Sequence, residues 1–369
     1  VTKILIVGAG RIGLPLAHWA SLVCETHVLD FDEAKVAELQ SGKVTFYEPD
    51  MNISRATFIS QPDESYDWVF VCYGPLNHDD DLQPFIDSLA PYIKLGKVVL
   101  RGALAPKTCE RVSIKYDVDI ICAPERLAEG VAIQEEHDLP KIVGSVRGLH
   151  DSAIIEFFES LGMTCVLATN ATVAECCKIT DNTYRFVEIG FSIELQKICW
   201  KIGVDTNEVI RICNQGYTRN SIKQPGIGAY GFCLLKDPAA FSKYAYRNGL
   251  IRGAIKINDW PLKLIATEIN EKYKTVGVLG LAYKGHPPTD DTRFSPFSYL
   301  KQWCPDVTFK TYDPLVESTC QTMDDVCLGV EAVLILLPNP MYEGLKCDEH
   351  IKVIDPWRLL DENNSSTGQ

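Results

Sequence analysis

Lys3-Ile4-Leu5-Ile6-Val7-Gly8-Ala9-Gly10-Arg11-Ile12-Gly13-Leu14 runs from a short apolar, β-branched segment straight into a glycine turn. The first five residues read as a buried parallel strand. Helical spacing of Leu14, Leu16, Ala17 and Ala20 follows, then a second strand, Thr26-His27-Val28-Leu29, closed by Asp30. Strand, glycine turn, helix, strand and acid in that order form a dinucleotide-binding unit. The glycines allow a tight turn and close approach of a pyrophosphate, and the helix N-terminus holds its charge. Gly8, Gly10, Arg11, Ile12 and Gly13 are therefore cofactor-binding candidates, and Asp30 stands where a carboxylate bonds the adenosine ribose hydroxyls. Asp30 and Asp32, with no arginine beside them, favour NAD over NADP.

Further strand segments continue the pattern: Asp67 to Cys72, Lys97 to Arg101, Asp119 to Cys122, Lys141 to Gly144 and Thr164 to Leu167. In a doubly wound sheet the strand C-termini face the ligand crevice. Gly74 with Pro75, Ala103 and Glu125, each just past a strand, are expected to rim the cofactor site. From Thr172 the period changes. Glu175, Lys178, Asn182 and Arg185 recur at three- and four-residue steps beside Ile179, Phe186 and Ile189, so one long helix carries a polar stripe next to an apolar one. A surface helix carries such a stripe too, but Asn182 falls one turn beyond Lys178 and could form a paired donor site with it. Strand logic restarts at Thr275 to Leu279 and runs through Val307 to Lys310, Ala332 to Leu336 and Lys352 to Asp355. The reading is α/β: two Rossmann-like doubly wound domains, 1–168 and 271–369, joined by a long central helix and a helical layer over 169–270. The polar tail from Asp361 to Gln369 is expected to fray.

Between the helices lies Pro225-Gly226-Ile227-Gly228-Ala229-Tyr230-Gly231-Phe232-Cys233-Leu234-Leu235-Lys236-Asp237-Pro238. Glycines let backbone approach a ligand, and a thiol at the end of such a loop can reach a bound substrate. A helix starting there would favour the thiolate and set Asp237 one turn on, on the same face as the sulfur. The bland alternative is one more buried cysteine among many.

Composition bounds the partners. A chain of 369 residues with 46% hydrophobic content is globular and too long for one core. A net charge of -13 argues against nucleic acid or an anionic membrane as main partner, while allowing a local basic pocket for phosphate. The 14 cysteines include no Cys-x-x-Cys, and the seven histidines are scattered, so neither a zinc site nor a disulfide framework is indicated. No secretory signal is read ahead of the first strand, and reduced thiols in a cytoplasm are the expectation. Apolar runs such as Ala332 to Leu337 are too short to span a bilayer.

The order of motifs resembles the UDP-glucose/GDP-mannose dehydrogenase superfamily through nearly the whole chain. The resemblance rests on Gly8 to Gly13, Pro124-Glu125-Arg126-Leu127-Ala128-Glu129-Gly130, Leu139 to Gly144, Lys178 to Arg185, Pro225 to Asp237, and Leu279-Gly280-Leu281-Ala282-Tyr283-Lys284 through Asp291-Thr292-Arg293-Phe294-Ser295-Pro296. Pro-Glu-Arg looks more like the UDP-N-acetylhexosamine branch than the UDP-glucose branch. The resemblance implies an NAD-binding domain, a helical layer forming a homodimer, a UDP-binding domain, and a four-electron oxidation of a sugar C6 alcohol to a carboxylate with two NAD, in polysaccharide biosynthesis. By the same resemblance Cys233 matches the nucleophile, Lys178 and Asn182 the oxyanion donors, Asp237 the partner acid, and Glu125 the glutamate linked to thioester hydrolysis. Substrate contacts are implied at Glu125, Arg126, Leu127, Lys178, Asn182, Arg185, Gly228, Tyr230, Gly231 and Lys284, and cofactor contacts at Gly74, Pro75, Ala103 and Arg293. The chain departs from the family at Gly102-Ala103 (usually Ser-Thr), Gly74 (Thr), Tyr230 (Gly), Leu235 (Pro) and Ile193 (Asn). Two alternatives stand beside this reading: a member acting on another nucleotide sugar or by a two-electron step only, and a catalytically silent nucleotide-sugar-binding protein.

Overall fold

The computed structural model describes residues 2–62, 65–75 and 82–360, so the tail expectation lies outside the described residues. The chain divides into two compact units, Val1–Asp181 and Asn182–Gln369.

The first unit holds strands β1 (Lys3–Val7), β2 (Glu25–Leu29), β3 (Thr57–Ile59), β4 (Trp68–Val71), β5 (Lys97–Leu100), β6 (Ile120–Cys122), β7 (Lys141–Ser145) and β8 (Cys165–Leu167). Its helices are α1 (Gly13–Ala20), α2 (Glu33–Gln40), α3 (Gln83–Ser88), α4 (Thr108–Tyr116), α5 (Ala132–Asp138) and α6 (Asp151–Ser160). The sheet order is β3-β2-β1-β4-β5-β6-β7-β8. Pairing is parallel except between β6 and β7. Because side chains alternate across a strand, each apolar run feeds both faces. Ile4, Ile6, Trp68 and Phe70 enter one core; Leu5, Val7, Val69 and Val71 enter the other.

Helix α7 (Ala171–Ile202) is 32 residues long and runs across the boundary between the units. Ile179, Phe186 and Ile193, seven residues apart, are buried along it. So are Glu175, Lys178 and Asn182, so most of the polar stripe is interior, while Arg185 at its end is exposed.

The second unit continues with α8 (Thr206–Asn214), α9 (Phe232–Ser242), α10 (Leu250–Ile257), α11 (Trp260–Lys272) and α12 (Pro296–Trp303). Its strands are β9 (Thr275–Leu279), β10 (Thr308–Tyr312), β11 (Ala332–Ile335) and β12 (Lys352–Ile354), all parallel in the order β10-β9-β11-β12. Alternation again serves two cores: Val276, Val278 and Leu334 on one side, Leu279, Val333 and Ile335 on the other.

One expectation about cysteines is corrected here. Cys327 and Cys347 form a disulfide, their Cα atoms 5.5 Å apart across 20 residues of sequence. That separation lies in the normal bridging range, and only the fold brings the two together. The other twelve cysteines are not in disulfides.

Candidate active site

The glycine turn follows β1, and the Gly8 N–H donates to the Leu29 carbonyl at 2.7 Å. A Cβ on Gly13 would lie 1.9 Å from the Gly8 oxygen, so only glycine lets α1 start this close to β1. A Cβ on Gly10 would meet nothing within 4 Å, which leaves space over the turn for a pyrophosphate. Asp30 accepts from the Ala9 N–H at 2.8 Å and from Lys35 Nζ at 2.9 Å. Burial pushes its carboxyl up, but Lys35 and the Asp32 and Ala9 N–H groups outweigh that and hold it low. These residues fit a dinucleotide. Lys35 was missed in the sequence, where only the absence of arginine was weighed. Arg11 turns to Glu129, 3.2 Å away, with its guanidinium 4.8 Å from the Phe46 ring centre.

Asp30→Ala is expected to raise KM for NAD about tenfold, the loss of one charge-assisted bond. It also takes away the carboxylate that Lys35 pairs with, so discrimination against NADP is expected to narrow. Kinetics with both dinucleotides check this, and unchanged NAD kinetics would remove Asp30 from the site.

Glu125 lies just beyond β6, with its N–H donating to the Arg101 carbonyl at 3.0 Å. One carboxylate oxygen pairs with Lys178 Nζ at 2.9 Å, and the other accepts from the Leu127 N–H at 2.8 Å. Both members of the pair are buried, at 8% and 4% exposure, so the ion pair is shielded from water. Arg126 reaches Asp181 at 2.8 Å. Glu175, one turn before Lys178 on α7, accepts the Lys107 and Cys109 N–H groups and so ties α4 to α7. Ala103 is buried, and a side chain on Gly102 would come within 2.9 Å of the Tyr73 carbonyl oxygen. The missing hydroxyls at 102 and 103 thus go with a close approach of the β4 and β5 ends, where Gly74 and Pro75 also lie. Arg101 itself is fully buried, with both Glu136 oxygens 2.8 Å from one guanidinium nitrogen.

In the second unit Cys233 is exposed on the first turn of α9. Its helix opens at Gly231, whose φ of 91° suits glycine and whose N–H donates to the Phe294 carbonyl at 3.0 Å. Asp237, one turn on, is fully buried and accepts from Asn182 Nδ2 at 2.6 Å. Arg185 donates to the Asn182 side-chain oxygen at 2.5 Å. Lys236, which the sequence reading passed over, lies 3.7 Å from Asp237 and 4.6 Å from the Phe232 ring centre. Gly228 lies against Asn258, whose amide brackets the Ala229 backbone. Tyr230 is 4% exposed, lies in one apolar cluster with Leu262, Val278 and Leu281, and its phenol is pushed up by burial.

At the C-terminal ends of β9, β10 and β11, a pocket is lined by Gly280, Lys284, Gly285, Thr289, Asp313 and Asn339. A parallel sheet binds ligands at this end. Arg293 grips Asp291 and stacks 5.3 Å from the Phe232 ring centre, next to the cysteine turn. Among the described residues no group of three His, Cys, Asp or Glu side chains could hold a metal, and no helix is long and apolar enough to cross a membrane.

The model of the UDP-glucose/GDP-mannose dehydrogenase NAD-binding domain matches residues 2–161, and that of the same family's central domain matches residues 172–260. The chain belongs to this family. It is accordingly an NAD-dependent oxidoreductase. Among family members, the UDP-N-acetyl-D-mannosamine dehydrogenase of Pyrococcus horikoshii is 28% identical over 407 residues, covering 98% of this chain and 96% of the relative. The enzyme so named in Escherichia coli K12 is 28% identical, over 79% of this chain and 80% of its own. The solved structure of the Pyrococcus horikoshii UDP-D-ManNAc dehydrogenase superposes with a TM-score of 0.87 at 26% identity, covering 98% and 96% of the two chains. A Pyrobaculum islandicum UDP-glucose dehydrogenase shares the fold at a TM-score of 0.83 and 20% identity, covering 96% and 94%.

Proposed function

We propose that the chain oxidises the C6 alcohol of a UDP-N-acetylhexosamine, such as UDP-N-acetyl-D-mannosamine, to the uronic acid in two steps. The observation that carries this reading is an exposed thiol on the first turn of α9 with a buried carboxylate, held by Asn182, one turn behind it. The choice of sugar is supported by the names of the relatives at 28% identity. When bound, NAD would supply the hydride acceptor for each oxidation, held by the glycine turn and Asp30. Cys233 attacks the C6 aldehyde, and the resulting thiohemiacetal gives up the second hydride to become a thioester. Lys178 and Asn182 donate to the oxygen that gains charge. Asp237 or Glu125 takes the proton of the hydrolytic water. Lys284, at the C-terminal end of the second sheet, contacts the nucleotide diphosphate, and Arg293 serves the cofactor. A panel of UDP-sugars with NAD, read by product mass, tests the proposal. Formation of a uronic acid with two NADH from a UDP-N-acetylhexosamine supports it, and no oxidised sugar from any member of the panel refutes it. A two-electron reading keeps one supporting observation: no hydroxyl at positions 102 and 103 to help place water.

We also propose a homodimer through the helical layer. Tyr184, Phe191 and Ile198, seven residues apart on α7, are 63%, 57% and 48% exposed, an apolar seam that the single chain leaves open. Phe191→Asp is expected to shift sedimentation at micromolar concentration from dimer to monomer. A wild-type monomer there would end this reading. We further propose a cytoplasmic setting, as for an enzyme supplied with NAD: twelve of the fourteen cysteines are outside disulfides, against the one Cys327–Cys347 bridge.

A further inference from the structure

We infer that residues 46–48 are a positioning bridge that ties the glycine turn to the segment carrying Glu125, with Glu48 as its key residue. The inference rests on the proposed role of Glu125. Helix α5 has no side-chain cap of its own at Val131. Glu48 supplies one from 82 and 84 residues away: its two oxygens accept from Gly130 N–H at 2.8 Å and Ala132 N–H at 2.7 Å. Uncapped helix N–H groups need such acceptors. Two residues earlier, the Phe46 ring lies 4.8 Å from the Arg11 guanidinium, and Arg11 pairs with Glu129 at 3.2 Å. The glycine turn, the 46–48 stretch and the end of the Glu125 segment therefore meet at Arg11, Phe46, Glu48, Glu129 and Gly130.

On one side the junction is packed, with Ala132 and Ile133 buried and the Trp19 indole N–H donating to the Ile133 carbonyl at 2.9 Å. A cavity of about 310 Å3 opens beside it, lined by Trp19, Glu48, Asp50, Gly130 and His137 among others. On the cavity side polar ties set the position of residues 129–132, and Glu48 makes two of them. At its other end the same segment is held by the Glu125 N–H on the Arg101 carbonyl. Glu48 thus acts through the backbone on where Glu125 and its partner Lys178 stand. A dinucleotide diphosphate over the glycine turn would add negative charge beside Arg11, so cofactor binding is felt at Glu129 and passed to the same segment.

Hydrogen exchange of the full chain, with and without NAD, tests this alongside steady-state kinetics. In wild type, NAD is expected to slow exchange across residues 125–132. In Glu48→Gln, one oxygen becomes an amide that cannot accept, and exchange there should rise about tenfold while β1 and β4 stay protected. Turnover should fall about tenfold with KM for NAD within twofold, and Glu48→Asp should recover part of both. Unchanged exchange over 125–132, or a rise spread evenly over the first unit, overturns the inference. Should Glu48→Gln not fold, Phe46→Leu leaves the carboxylate in place and removes the ring beside Arg11. NAD-dependent protection of 129–132 should then be lost, and its full retention overturns the bridge. If wild type oxidised no UDP-sugar, the proposed function would fail while the exchange result still decided this inference.

Discussion

Cys233→Ala is expected to stop the second oxidation and leave the first. Wild type should release two NADH per sugar and a uronic acid. The alanine variant should fall by on the order of 10³-fold in two-NADH turnover, because an aldehyde cannot give up a second hydride until a nucleophile has added to it. Cys233 is exposed at a helix start while Asp237 behind it is fully buried, so removal of one sulfur atom disturbs little packing. The loss should therefore appear in chemistry and not in thermal stability. Cys233→Ser keeps a weaker nucleophile and should slow the second half strongly, with aldehyde trapped or released. Ala103 offers no hydroxyl to hydrolytic water, so wild type should show a burst of NADH and a sugar adduct by intact mass. Full two-NADH stoichiometry at wild-type rate in Cys233→Ala would sink the thioester route and return the loop to a packing role.

What was legible in the sequence was what is local. The run Lys3 to Val7 announces a strand, and its apolar residues on both parities announce a sheet covered on two faces, as Ile4 and Leu5 in separate cores bear out. Strand β3 was missed because Thr57-Phe58-Ile59 is three residues long, lies at a sheet edge and has no clear alternation. Contacts across long separations were also hidden. Lys35 on Asp30 could have been suspected, since it lies one turn into α2, five residues on. Glu48 on Gly130 and Ala132 could not, since nothing in residues 46–50 names a partner more than 80 residues away. Nor does a loop sequence tell which way each ring faces, and the ring of Tyr230 lies in the core of the second unit.

Lys178→Met is expected to damage both stability and rate, and the two losses can be separated. In the folded chain Lys178 Nζ is 2.9 Å from Glu125, and both are more than nine-tenths buried. Removing the cation leaves a carboxylate without its partner away from water, which costs about 3–5 kcal/mol in comparable buried pairs. The thermal midpoint should drop by several degrees. Adding Glu125→Gln to Lys178→Met removes the stranded charge, so most of that stability should return. Turnover should not return. A lysine that donates to the thiohemiacetal oxyanion contributes only when charge develops there, and loss of one such donor lowers kcat by about 10²–10³-fold. The double variant should thus be nearly as stable as wild type and still slow, with KM for NAD close to the wild-type value. If Lys178→Met were destabilised yet kept kcat within about threefold, the lysine would serve only to neutralise Glu125. The oxyanion would then have to rest on Asn182 alone, which already spends its side-chain nitrogen on Asp237 and its oxygen on Arg185.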